Sequence, residues 1–529
     1  MTSLTAGGVT VQVNGSSLLA AQQGALADSA SLPSRLVARD TTVWGPEASA
    51  EAAIRLGWLD VVTVGRALLP ELLGLRDALA DEGVDRVVLA GMGGSSLAPE
   101  VICGSAGRPL VTLDTTDPAQ VRAAFAEELA RTVVVVSSKS GGTVETDSHR
   151  RAARAAFEAV GIDPAERIVV VTDPGSPLEQ TAREEGSRAV FLADPNVGGR
   201  YSALTAFGLV PAALAGVDVA ALLDEAAALE PSLAGGQDNP GLALGAVIGG
   251  AAVGGRDKLI LADAGSGLAG FGDWAEQLIA ESTGKQGKGV LPVVVEGVDA
   301  PGTAPAADLH LVTLGGSGAG DGTRVDGPLG GQLLAWEYAT AVAGAILRIN
   351  PFDQPNVQES KDNTKAILEG DRSSGAGPDA TVGSVEIYSS SATGLAQALQ
   401  LLLDAVPERG YLAIMAYLDR QVDAQAQQLR ALLAARLPHP VTFGWAPRFL
   451  HSTGQFHKGG PRVGVFLQIT GVVARDLDVP GRDYTFGQLQ AAQARGDLRA
   501  LVQRDRPTLR LHLTDRAEGL RALLEAARG

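Results

Sequence analysis

Four short apolar runs constrain this chain most: "VDRVVLAG" (84–91), "RTVVVVSS" (131–138), "ERIVVVTD" (166–173) and "SRAVFLAD" (187–194). Each is followed by a segment with helical patterning. Runs of this length, rich in valine and uncharged at their centres, read as strands buried on both faces. Their alternation with helices predicts a parallel sheet covered by helices on both sides, an α/β fold. The pattern resumes with "DKLILADA" (257–264) and "PVVVEG" (292–297), and again with "YLAIMAYL" (411–418), "VGVFLQIT" (463–470) and "TLRLHLTD" (508–515). Breaker-rich stretches at 231–241 and 368–384 divide the chain. The expected units are an N-terminal segment (1–40), two α/β domains (41–235 and 236–370) and a C-terminal α/β region (371–529). The first two domains read as copies of one plan.

Chemistry is expected where strands stop. "SSKSGGTVET" (137–146) joins the run at 132–136 to an alanine-rich helix. A strand-to-helix turn aims free backbone N–H groups at one point, an anion site. Lys139 opposes the helix macrodipole there unless it shares that anion. "GMGGSSLAPE" (91–100) is a second such loop, with glycines for close approach and Ser95 or Ser96 to cap the helix or donate to an oxyanion. In "NVGGRYSALTAFG" (196–208), Arg200 follows two glycines at a helix start. In "WAEQLIAESTGKQGKG" (274–289), Glu281 falls in the last turn of a helix, where the negative dipole end raises a carboxyl pKa toward that of a general base. Spacing alone equally allows Glu281 to be a solvated glutamate paired with Lys285. "GSGLAG" (265–270) matches a dinucleotide fingerprint, but the partner acidic residue should end a second strand about twenty residues on, whereas Glu281 sits inside the following helix, and NAD is not expected.

Composition limits the partners. At 529 residues the chain is too long for one ordinary core, and its formal charge of −17 argues against nucleic acid or an anionic membrane. A single cysteine, Cys103, excludes an internal disulfide and fits a reducing cytoplasm. No basic n-region precedes an apolar stretch, and the small, glycine-rich run 241–255 suits a packed helix better than a membrane span. A cytoplasmic protein is expected.

Taken together and in order, "GMGGSSLAPE", "SSKSGGTVET", "GGRYS", "QLIAESTGK" and "FDQPNVQESK" make the chain resemble the glucose-6-phosphate isomerases, over roughly residues 35–470. The similarity is closest to the bacterial isomerase region also found fused to transaldolase. The resemblance implies two flavodoxin-like sugar-isomerase (SIS) domains with parallel sheets in three αβα layers. It implies reversible isomerisation of glucose 6-phosphate and fructose 6-phosphate through a cis-enediol, with no cofactor and no metal. Ser138, Lys139, Ser140 and Thr143 match the phosphate loop, Gly94 and Ser95 the neighbouring loop, and Glu145 a glutamate nearby. Arg200 matches the arginine that stabilises the enediol, Glu281 the base, and Gln354 and Lys361 a glutamine and lysine near the phosphate and ring oxygen. The family is commonly dimeric, so a homodimer is allowed for. The alternatives are an isomerase that also accepts mannose 6-phosphate and a non-catalytic sugar-phosphate sensor. One position departs from the family: Leu333 stands where most members carry a histidine for ring opening. Of the six histidines, His149, His310, His439 and His512 read as structural. "HSTGQFHKGGP" (451–461) is therefore expected to re-enter the site, with His457 assisting ring opening and His451 as its alternate.

Overall fold

The computed structural model describes residues 1–316, 320–356, 364, 366–368, 370, 377–388 and 391–529. It opens with an antiparallel hairpin of β1 (Thr2–Ala6) and β2 (Val9–Val13). The first parallel sheet holds β3 (Arg86–Gly91), β4 (Val111–Leu113), β5 (Thr132–Ser137), β6 (Ile168–Thr172) and β7 (Ala189–Leu192), in the order β4-β3-β5-β6-β7. Alternate residues of β5 enter different cores. Val133 and Val135 pack with Leu97 and Leu209, whereas Val134 and Val136 pack with Phe157 and Leu178. That division is why the strand reads as an unbroken apolar run: both faces are covered, and each fully buried valine is worth ~1.5–3 kcal/mol.

The second sheet contains β8 (Lys258–Asp263), β9 (Leu291–Val295), β10 (Leu309–Leu314) and β11 (Thr323–Asp326). These are parallel in the order β9-β8-β10-β11, and β2 then pairs with β11 antiparallel. The N-terminal segment expected as a unit of its own thus supplies the edge of the second sheet. Val9, Val11 and Val13 carry the side chains that dock it, each 2% exposed or less. The glycine-rich run near 241–255 is the helix Pro240–Val253, packed against the helix Leu329–Leu347. A Cβ at Gly245 would stand 2.5 Å from the Ala339 carbonyl oxygen, so the close crossing requires glycine. Among the described residues no helix is long and apolar enough to cross a membrane.

The C-terminal region forms a third sheet of β12 (Ala380–Val382), β13 (Val385–Tyr388), β14 (Tyr411–Tyr417), β15 (Val441–Trp445), β16 (Gly464–Gly471) and β17 (Thr508–Leu513). Its order is β12-β13-β17-β16-β14-β15. Tyr411, Met415 and Phe466 from this sheet share an apolar core with Ile260, Leu291 and Val293 of the second. Against the first unit Val479 and Phe486 join the core of Val134 and Phe157, and ion pairs border that contact. Arg448 lies 2.5 Å from Glu100 and 3.1 Å from Asp114, Arg420 lies 3.0 Å from Glu100, and Arg516 lies 2.7 Å from Asp117. These clamps hold the segment 448–459 over the carboxyl ends of the first sheet.

Candidate active site

Parallel pairing of β3 with β5 sets Gly91 opposite Ser137. The two serine-rich loops therefore leave the sheet side by side, at the point where strand order reverses, the usual ligand crevice of such sheets. After β5, the Ser138 hydroxyl donates to Thr143 Oγ1 at 3.2 Å and the Gly142 N–H to Ser140 Oγ at 3.3 Å. The helix Val144–Ala159 that follows has no side-chain cap on its first turn. The positive dipole end of this helix favours an anion there. This turn lines a cavity of about 1100 Å³ with Ser138, Ser140, Thr143, Glu145, Arg150, His451 and Arg482 on its walls.

Lys139 does not line that cavity. Its ammonium donates to Asp173 at 2.6 Å and to the Pro195 carbonyl at 3.1 Å. Burial lowers the Lys139 pKa and raises that of Asp173, with the contact between them opposing both shifts. The cation that the loop sequence sets aside for a bound anion is answered instead by a carboxylate from the end of β6.

A second cluster lies beyond the wall at His451. Arg200 sits in the short turn Gly199–Tyr201 and is 3% exposed. Its Nε donates to Ser282 Oγ at 2.7 Å, and Nη1 to Gln354 Oε1 at 2.8 Å. Nη2 donates to the carbonyls of Pro351 and Asp353 at 2.7 and 3.0 Å. Nη1 is also 3.2 Å from Glu281 Oε1. Glu281 occupies the last turn of the helix Phe271–Thr283, as its spacing predicts. Its charge partner is Arg200, not Lys285. The Lys285 ammonium instead bonds the Asn350 carbonyl and lies 2.7 Å from Asp353, with its pKa lowered to about 7 by burial and then by the Arg200 charge.

Close backbone approach joins this cluster to the first sheet. Gly94, in the turn after β3, lies so near Gly199 that a Cβ would be 1.9 Å from its carbonyl oxygen. Ser95, in the same turn, is buried.

Two residues that the sequence does not single out connect the halves. Gln277, one helical turn before Glu281, donates from Nε2 to Glu281 Oε2 at 3.1 Å and to the His451 carbonyl at 2.7 Å. Gln493, on the helix Phe486–Val502 of the third unit, donates to Glu145 Oε1 at 2.7 Å. The same oxygen is 3.2 Å from His451 Nε2. The i, i+4 spacing of Gln277 and Glu281 was a usable signal; nothing local marks Gln493. Glu281, Arg200, Gly94, Ser95 and Gln354 lie outside the cavity lining and reach it through His451.

The structure corrects the reading of His457. Its ring is 2% exposed, stacked on Tyr411 and edge-on to Phe466, with Nδ1 3.0 Å from the Tyr411 hydroxyl. Burial, then the Lys458 charge, pushes its pKa well below the usual imidazole value. A histidine held neutral among aromatic rings, with no face on the cavity, is poorly suited to exchange protons with a ligand. His451 is the one that reaches the cavity. Leu333 is fully buried in the helix Leu329–Leu347. His149 Nε2 donates to the Thr115 carbonyl inside the first unit, and His310 pairs with Thr323. Lys361 lies outside the described residues.

Residues 76–288 match the phosphoglucose isomerase family. The chain is 29% identical over 364 residues to a probable glucose-6-phosphate isomerase of Haloarcula marismortui, covering 56% of this chain and 81% of that one. It is 37% identical over 240 residues to the glucose-6-phosphate isomerase of Thermosynechococcus vestitus, covering 42% of this chain and 44% of the relative. With the glucose-6-phosphate isomerase of Synechococcus elongatus it shares 32% over 350 residues, 54% and 66% of the two chains. Its fold is similar to that of a hypothetical protein from Thermus thermophilus, with a TM-score of 0.58 and 24% identity over 68% of this chain and all of that one. A glucose-6-phosphate isomerase from Chlamydia trachomatis aligns with a TM-score of 0.54 and 20% identity, over 69% and 89% of the two chains. The central segment of this chain thus matches the phosphoglucose isomerase family, and the chain is similar to glucose-6-phosphate isomerases over part of its length.

Proposed function

We propose that this chain interconverts glucose 6-phosphate and fructose 6-phosphate through a cis-enediol, with Glu281 as the base. The observation that carries the reading is the buried Arg200–Glu281 pair, 3.2 Å apart, with Gln277 holding the second carboxylate oxygen at 3.1 Å. An aldose–ketose shift needs a base at the carbon-bound proton and a cation at the enediolate oxygen. Glu281 takes the proton from C2 of the open-chain aldose while O1 gains one, which forms the enediol. Loss of the O2 proton and return of the carbon-bound proton to C1 yield the ketose. Arg200 bears the negative charge that builds on the oxygens, and Gln354, already bonded to Arg200, orients the hydroxyls beside it. Ser138, Ser140 and Thr143 and the first turn of the helix Val144–Ala159 receive the phosphate. Gly94 and Ser95 close the sugar side, and Lys361 assists at the ring oxygen. Running the reaction in D2O tests this reading: fructose 6-phosphate should form carrying deuterium at C1, because a carboxylic proton exchanges with solvent. Product without deuterium means direct hydride transfer, and no product at all removes the activity.

His451, beside Glu145 and on the cavity wall, takes the ring-opening role in place of His457. His451→Ala should slow turnover of cyclic substrate at least tenfold more than that of the pre-opened sugar phosphate; equal losses on both would assign the histidine to packing. Lys139 contributes through its loop. Lys139→Ala should weaken binding of a phosphorylated inhibitor by roughly threefold to tenfold, less than the loss for a direct charge-assisted contact of about 1.5–3 kcal/mol, because its charge is already matched by Asp173. A hundredfold loss would mean that the lysine swings onto the phosphate.

A further inference from the structure

The third sheet repeats the plan of the first. Its parallel strands run β15-β14-β16-β17, so strand order reverses between β14 and β16 as it does between β3 and β5. Ligands of open parallel sheets bind outside the carboxyl ends at that reversal. In the third sheet the place is occupied by a second cavity of about 600 Å³, bounded by the ends of β14, β16 and β17 and by the helix Phe486–Val502. Among the described residues it meets the first cavity only at Leu368, Asp483 and Tyr484. None of the groups assigned to the isomerase reaction lines it.

Its donors are conspicuously unspent. Gln490 is 4% exposed and its Nε2 has no partner. Gln468, 1% exposed, donates to the Ala494 carbonyl at 2.9 Å but leaves its Oε1 unpartnered. The Nε of Arg510 is buried without a partner, and its guanidinium lies 4.4 Å over the Tyr388 ring. Arg495, exposed at the rim, is close enough that its charge adds to burial in lowering the Arg510 pKa. The charge of Glu386 acts on Arg510, but its own oxygen takes the Tyr388 hydroxyl at 2.7 Å, and Asp483 also lines the cavity. No ion pair joins Arg495 or Arg510 to a carboxylate among the described residues. In a chain with a formal charge of −17, two neighbouring arginines without a counter-ion are an unusual arrangement, and buried polar groups ordinarily find partners. An incoming anion supplies acceptors for the Arg510 and Gln490 donors, and a hydroxyl carried with it a donor for the Gln468 oxygen.

We propose that this cavity is a second ligand site that binds a small phosphorylated metabolite. Arg510 and Arg495 receive the phosphate, the forked donors of guanidinium suiting its oxygens. Gln490 and Gln468 meet hydroxyls of the remainder, and His512, held at 2.8 Å by Thr470 Oγ1, borders the phosphate end.

Inorganic pyrophosphate, titrated calorimetrically into the full chain, is the probe. Arg495→Gln/Arg510→Gln should weaken the site at least tenfold, and Arg495→Gln alone, at an exposed position that folding tolerates, should weaken it about threefold. Ser140→Ala/Thr143→Ala, in the loop of the first sheet, should leave it unchanged, which separates this site from the one assigned to the sugar phosphate. The proposal is overturned if both arginine variants bind pyrophosphate with the parent's affinity and stoichiometry. It is also overturned if citrate, a carboxylate anion, binds there more tightly than pyrophosphate.

Discussion

Glu281→Gln is expected to fold normally, bind sugar phosphate and lose ~10²–10⁴ in turnover, the usual worth of a positioned general base. The amide is isosteric and still accepts the Gln277 hydrogen bond. Arg200 keeps Ser282, Gln354 and the carbonyls of Pro351 and Asp353 as acceptors, so its position does not depend on the carboxylate. What disappears is the group that holds the proton between C2 and C1. Steady-state turnover in both directions, read with the thermal midpoint, isolates this effect. Activity within tenfold of the parent at an unchanged midpoint would take the role of base away from Glu281.

Arg200→Met should be damaging twice. Loss of the cation beside the developing enediolate is worth ~10²–10³ in turnover, by comparison with removal of other oxyanion donors. Removal of the partner also strands Glu281, 8% exposed, as a buried carboxylate without a counter-charge, and breaking such a pair costs ~3–5 kcal/mol. The carbonyls of Pro351 and Asp353 lose their donor as well. Urea unfolding of parent and variant measures this loss. Arg200→Lys should recover part of the stability and little of the turnover, since an ammonium cannot span the same acceptors. A variant with near-parental turnover would show that the enediolate is stabilised elsewhere.

Much of the architecture is legible in the residues themselves. The valine run of β5 announces a strand covered on both faces, and the breakers after it announce a turn into a helix. The placement of Glu281 in a last helical turn also follows from local spacing. The C-terminal region shows its strands equally well. That they form a third sheet of flavodoxin-like order, and that the first thirteen residues finish the edge of the second sheet, depends on pairings between segments distant in the chain. No periodicity encodes those pairings.

The candidate site divides the same way. His451 and His457 stand six residues apart in one glycine-rich stretch and look interchangeable in sequence. The short helix Gly454–Gly459 turns the second into an aromatic core, while the clamps of Arg448 hold the first over Glu145. Lys139 is a similar case: a cation at a helix start implies a nearby anion, and the residue's surroundings in sequence cannot say which. The sequence by itself determined the elements, the loops that end them and the residue types gathered there, because backbone preference and side-chain periodicity act within a few residues. Only the tertiary structure decided the partners: Asp173 for Lys139, Arg200 rather than Lys285 for Glu281, and Gln493 from the third unit for Glu145. The physical reason is that a buried charge or amide must be satisfied by whatever group lies within about 3 Å, and that group is chosen by how distant segments pack.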